Sequence, residues 1–123
     1  MLSWHVEIAR KSAELYSFPD FHYQNLLLPY LGTGNVEIDE YGRSVYQGEE
    51  LERLRLRIQH IYDYFEAKAV QWEITQTEYD YSRLLSVDKY VIERKVVLLL
   101  LDKLLAAVGI AQNARGALVF LGD

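Results

Sequence analysis

The chain contains no cysteine. Disulfide frameworks, thiolate metal sites and cysteine nucleophiles are excluded with it, and a reducing, cytoplasmic setting is the expectation. Proline is scarce at two residues and glycine numbers seven, too few for long disordered segments. No apolar run exceeds six residues, since Val96 to Leu101 ends at Asp102 and Lys103. A bilayer span takes about 20 apolar residues, so no transmembrane helix is expected. Met1-Leu2-Ser3-Trp4-His5-Val6-Glu7 has neither the basic segment nor the apolar stretch of a secretory signal. Positive charge is short as well. The 13 Lys and Arg face 18 Asp and Glu, a formal net charge of −5, which disfavours broad contact with nucleic acid or an anionic membrane.

The 123 residues are 50% hydrophobic and 25% charged, the balance of one globular domain spanning 1–123. The acids are unevenly spread. Glu37, Asp39, Glu40, Glu49, Glu50 and Glu52 fall between Asn35 and Glu52 with only Arg43 against them, so this stretch alone carries the chain's net −5. Elsewhere 12 basic residues balance 12 acidic ones. A concentration of one sign can meet a partner of the other and steer its approach.

Periodicity predicts an α+β fold that is mainly α: two long packed helices, an N-terminal helix, a β-hairpin and a short C-terminal strand. Val6, Ala9, Ala13 and Tyr16 recur at helical spacing over residues 3–17, with Ser3 as N-cap and Pro19 after the end. Asn25 to Leu31 is apolar but carries Pro29, which suits a short helix or an extended piece closed by Gly32-Thr33-Gly34. Val36 and Ile38 alternate with Glu37 and Asp39, and Gly42 sits where a turn calls for positive φ, so 36–47 reads as the hairpin. Its register stays open between a two-residue and a three-residue turn.

Leu51, Leu54, Ile58, Ile61, Phe65, Ala69 and Trp72 form a helical stripe over about 48–74, although 70–74 also alternates like a strand. A polar, tyrosine-bearing connection covers 75–83. Ser86 then reads as the N-cap of a last helix over 87–108, with Gly109 at its end. Ala117 to Leu121 suits a buried strand beside the hairpin or a tail packed across the helices.

Catalytic patterns are thin. His5, His22 and His60 are scattered without metal-ligand spacing, and no metal or cofactor is expected. Asp20 and His22 flank Phe21 beside Pro19, where aspartate ordinarily serves the turn. Ser86-Val87-Asp88-Lys89 matches the Ser-x-x-Lys pattern of serine acyl-enzymes, but the companion motifs are missing and a cap explains the serine. Gly32-Thr33-Gly34 lacks the rest of any nucleotide fingerprint. No catalytic residue is assigned, and an enzyme is the less favoured reading.

Ten tyrosines stand out, a residue that gives large contact area at low entropic cost. Three of the six clustered acids, Glu49, Glu50 and Glu52, would occupy the first turn of the long helix, where its dipole favours them. Arg53 and Arg55 stand within reach of Glu49 and Glu52. Glu37, Asp39 and Glu40 beside Tyr41 are left without such a duty, although charge on an exposed hairpin also discourages edge aggregation.

The expected partner is therefore a basic protein surface, met by Glu37, Asp39, Glu40, Tyr41, Tyr46, Glu49 and Glu50. By physical type alone this profile resembles small acidic immunity proteins that inhibit basic toxin domains such as nucleases. The other readings are a homo-oligomer through the long helix's near-heptad stripe, and a small ligand-binding protein or enzyme with a pocket under 25–31.

Overall fold

A computed structural model, which describes residues 1–80 and 83–122, turns the expected N-terminal helix into a β-hairpin of β1 (Ser3–Ile8) and β2 (Lys11–Ser17). Then follow α1 (Phe21–Leu31), β3 (Arg43–Gln47), α2 (Glu49–Glu66), β4 (Gln71–Asp80), β5 (Arg83–Glu93), α3 (Arg94–Asn113) and β6 (Ala117–Leu121). With six strands beside three helices among the described residues, the fold is α+β and not mainly α. The strands form two antiparallel sheets, one ordered β2-β1-β6-β3 and one the β4-β5 hairpin.

The N-terminal misreading has a specific cause. Trp4 and Val6 face the core while His5 and Glu7 face the other way, a period of two that the Val6-Ala9-Ala13-Tyr16 stripe overlies. The turn carries none of the usual residues. Ala9 (φ 50°) and Arg10 (φ 66°) adopt the left-handed backbone that two-residue hairpins ordinarily give to asparagine and glycine. β1 also sits between β2 and β6, so both of its edges are hydrogen-bonded.

The expected 36–47 hairpin is likewise absent. Only 43–47 is a strand, and β6 is its partner, with Val45 opposite Val119 and Tyr46 opposite Leu118. Residues 36–42 form a loop that turns Val36 and Ile38 onto the core, which accounts for their alternation with acids. Ala117 to Leu121 is indeed a strand, seated between β1 and β3.

α2 begins as expected with Glu49, Glu50 and Glu52 in its first turn but stops at Glu66. Its stripe of Leu51, Leu54, Ile58, Ile61 and Phe65 is buried within this fold. The strand-like alternation of 70–74 belongs to β4. The expected last helix starts seven residues late, at Arg94, because Val87 to Ile92 pairs with β4 instead. Of the expected polar connection at 75–83, residues 75–80 and Arg83 lie in these strands, and 81–82 lie outside the described residues. α3 runs through Gly109 to Asn113.

α1 continues past Pro29 to Leu31, where proline removes the helical hydrogen bond to the carbonyl of the exposed Asn25. By length and composition α3 could cross a membrane, with mean hydropathy 1.7 over an 18-residue window. In this fold Val97, Leu101, Leu104, Val108 and Ala111 pack it into the core.

The base of the β4–β5 hairpin is tied down at several points. Arg94 N–H donates to the Val70 carbonyl (2.9 Å), Glu93 N–H donates to the Tyr23 hydroxyl (3.1 Å), and Trp72 stacks on Phe65 at 6.0 Å.

Candidate protein-binding loop

The acidic loop is fastened at both ends. At its start the Thr33 hydroxyl donates to Glu50 Oε2 (2.9 Å) and accepts from Val36 N–H (3.2 Å). Asn35 Nδ2 donates to the other Glu50 oxygen (3.3 Å). In the middle the Tyr46 hydroxyl donates to the Val36 carbonyl (2.9 Å). Towards its end Asp39 N–H donates to Ser44 Oγ (2.8 Å), and Asp39 Oδ1 accepts from Tyr41 N–H (2.9 Å), the local turn that aspartate favours. Gly122 N–H donates to the Gly42 carbonyl (2.7 Å). A Cβ on Gly122 would come within 2.0 Å of the Glu40 carbonyl oxygen, so this approach of the two backbones requires glycine.

These bonds sort the expected partner-binding residues. Glu37, Glu40 and Tyr41 are exposed, Tyr41 at 81%, and they share the loop with Asp39. Asp39 is exposed too but holds the turn. Tyr46 is 0% exposed in β3, so in this fold it anchors the loop from inside and presents nothing to a partner. Burial first, then the charges of Glu37 and Glu50, push its phenol well above the ordinary tyrosine range.

Glu50 is the clasp between the loop and α2. Burial raises its carboxyl, but hydrogen bonds from Thr33, Asn35 and Arg53 outweigh that and hold it below the usual carboxylate range. Glu49 extends into solvent with Arg53 at 3.7 Å. Glu50 thus belongs to the clasp at the start of α2, while Glu37, Glu40 and Tyr41, and Glu49 on α2, face solvent.

One cluster was hidden by the N-terminal misreading. His5 and Glu7 lie on the sheet face away from the helices, where His5 Nε2 is 3.1 Å from Glu7 Oε1. Arg43 Nη2 donates to Glu7 Oε2 (2.7 Å) from the far strand, β3. His5 is first among the causes, then Arg43, that keep the Glu7 carboxyl below the usual range. His5-x-Glu7 at i, i+2 is the sequence signal, legible only once 3–8 is taken as a strand.

The weaker chemical patterns do not assemble. Asp20 Oδ2 stands 3.9 Å from His22 Nε2, too far for a hydrogen bond, and His22 stacks on Tyr90 instead at 4.8 Å. Ser86 and Lys89 lie three apart on β5, where such residues point to opposite faces. Among the described residues no three His, Asp or Glu side chains gather as a metal-binding set. No family model, curated protein or solved structure matches the chain.

Proposed function

We propose that the protein is a non-catalytic binding module that meets a basic protein surface through Glu37, Glu40 and Tyr41, with Asp39 shaping the turn. The observation that carries this reading is Tyr41, an 81% exposed aromatic beside three carboxylates on a loop fastened by hydrogen bonds. An exposed tyrosine gains contact area on binding, and a loop already ordered loses little entropy when it docks. The adjoining acids supply attraction at long range and complementarity at contact. A partner of the nuclease-toxin type, inhibited by the acidic loop, is the specific form of this proposal.

Site-specific photo-crosslinking tests it in cells. Benzoylphenylalanine placed at Tyr41 is expected to capture a basic protein, identified by mass spectrometry, and Glu37→Lys with Glu40→Lys is expected to abolish the adduct. The same probe at Leu56, exposed on α2, serves as the comparison. An adduct at Tyr41 that survives charge reversal, or adducts only at Leu56, would remove the loop from the interface.

A further inference from the structure

Among the described residues, the non-glycine positions with a left-handed backbone are Ala9, Arg10 (φ 66°) and Arg115 (φ 55°), and all lie at one end of the four-stranded sheet. Ile8 pairs with Lys11, and Glu7 pairs with Ala117, so the β1–β2 turn and the end of α3 lie at the same end of the sheet. Two strand spacings, about 10 Å, separate the backbones of Lys11 and Gly116.

Glycine is the ordinary occupant of both arginine positions. Arg10 is the second central residue of a two-residue hairpin turn. Arg115 follows the C-cap of α3, where its N–H donates to the Gln112 carbonyl (3.2 Å) and Gly116 N–H to the Ala111 carbonyl (2.8 Å). Backbone strain of this kind collects at functional sites.

Arg10, Lys11 and Arg115 are exposed, and none has an ion-pair partner among the described residues. Arg43, Arg53, Arg55, Lys89 and Lys95, by contrast, all face carboxylates. Arg115 also lines an open cleft of about 440 Å³ with Gln47, Gln112, Leu51 and Ala111. Acids at this end are engaged elsewhere, Glu7 by His5 and Arg43, Glu52 by Arg55 and Gln112, and Glu49 by Arg53.

The geometry points to a binding site for a small oligophosphate-bearing ligand, its charges on Arg10, Lys11 and Arg115 and its uncharged body in the cleft. Leu51 and Ala111 provide an apolar floor, the amide of Gln47 can read a hydrogen-bonding edge, and the volume lies in the range of small-molecule sites. The site is separate from the tip of the acidic loop, residues 39–42, which lies at the other end of the sheet beside Arg43 and Gly122.

Calorimetric titration at low ionic strength with inorganic triphosphate, ATP and a short single-stranded oligonucleotide tests this on the wild type, Arg10→Gly, Arg115→Gly and Arg57→Gln. Both glycine changes relieve a left-handed residue, so their melting temperatures rise and misfolding cannot explain a loss of binding. The expected result is ATP binding more tightly than triphosphate, weakened about tenfold or more by either glycine change and unaffected by Arg57→Gln. No binding of ATP at millimolar concentration, or unchanged affinity in Arg115→Gly, overturns the proposal. So does an equal loss in Arg57→Gln, or triphosphate binding as tightly as ATP. An oligonucleotide that outbinds ATP would identify a polymer surface instead and would overturn the small-ligand assignment.

Discussion

Ala9 and Arg10 hold the β1–β2 turn in a conformation that an L-residue enters at roughly 1–2 kcal/mol each. Ala9→Asn with Arg10→Gly should therefore stabilise the protein by about 1 kcal/mol or more, read as a higher urea midpoint at unchanged m. Destabilisation would instead favour the helical reading of 3–17, since glycine weakens a helix interior. The same two residues explain why this hairpin was illegible: alanine and arginine announce a helix, and the strand is imposed by pairing with β2 and β6. Tyr46 offers a second test. Tyr46→Phe keeps the ring in the core but removes the donor to Val36, at about 1 kcal/mol, and should speed amide exchange across 33–39.

The pairing of α2 with α3 is the clearest consequence of sequence periodicity. Leu54 and Leu104 are buried at 0% exposure, whereas Leu56 on α2 is 54% exposed. Leu54→Ala should cost about 2–5 kcal/mol, and Leu56→Ala should stay within about 0.5 kcal/mol in chemical denaturation. Comparable losses at both would indicate that α2 buries a second face against another copy. Long amphipathic stripes survive in the sequence because each buried leucine recurs on one face, so α2 was legible up to Phe65. Its end was not. Ala69 and Trp72 prolong the stripe by coincidence, and Trp72 reaches the same core from a strand by stacking on Phe65. The start of α3 failed similarly, because Val87 to Ile92 carries β-branched residues whose pairing depends on β4.

The acidic turn of α2 also sets a pH response. Hydrogen bonds from Arg55 and Gln112 draw the Glu52 carboxyl from near 4.5 down to about 2. A depressed carboxylate contributes stability that is present above the unfolded value and lost as pH falls through the folded one. The urea midpoint of the wild type should therefore fall between about pH 4.5 and pH 2, and Glu52→Gln should flatten that fall. An equally steep fall in the variant would show that Glu52 is unpaired in solution.

Across the whole molecule, the loop-tip acids and three free cations stand at different ends of the sheet. The tip of the acidic loop adjoins the Arg43 and Leu121 end, and Arg10, Lys11 and Arg115, without ion-pair partners among the described residues, adjoin the other, where the paired acids of the first turn of α2 also begin. The clustering of acids was plain in the sequence, but its division was not. Glu50 and Glu52 engage their own helix and loop, whereas Glu37 and Glu40 face solvent. The basic end was invisible because its cations come from chain positions more than a hundred residues apart in sequence and meet only through the β1–β6 register.

Binding through the acidic end is best tested by association kinetics with the protein captured at Tyr41, once purified, at two ionic strengths. Wild-type association should slow as salt rises. Glu37→Lys with Glu40→Lys, leaving Asp39 to hold its turn, should slow association about tenfold or more at low salt and flatten the salt dependence. Equal rates and equal salt dependence in the wild type and the double variant would contradict recognition through this loop.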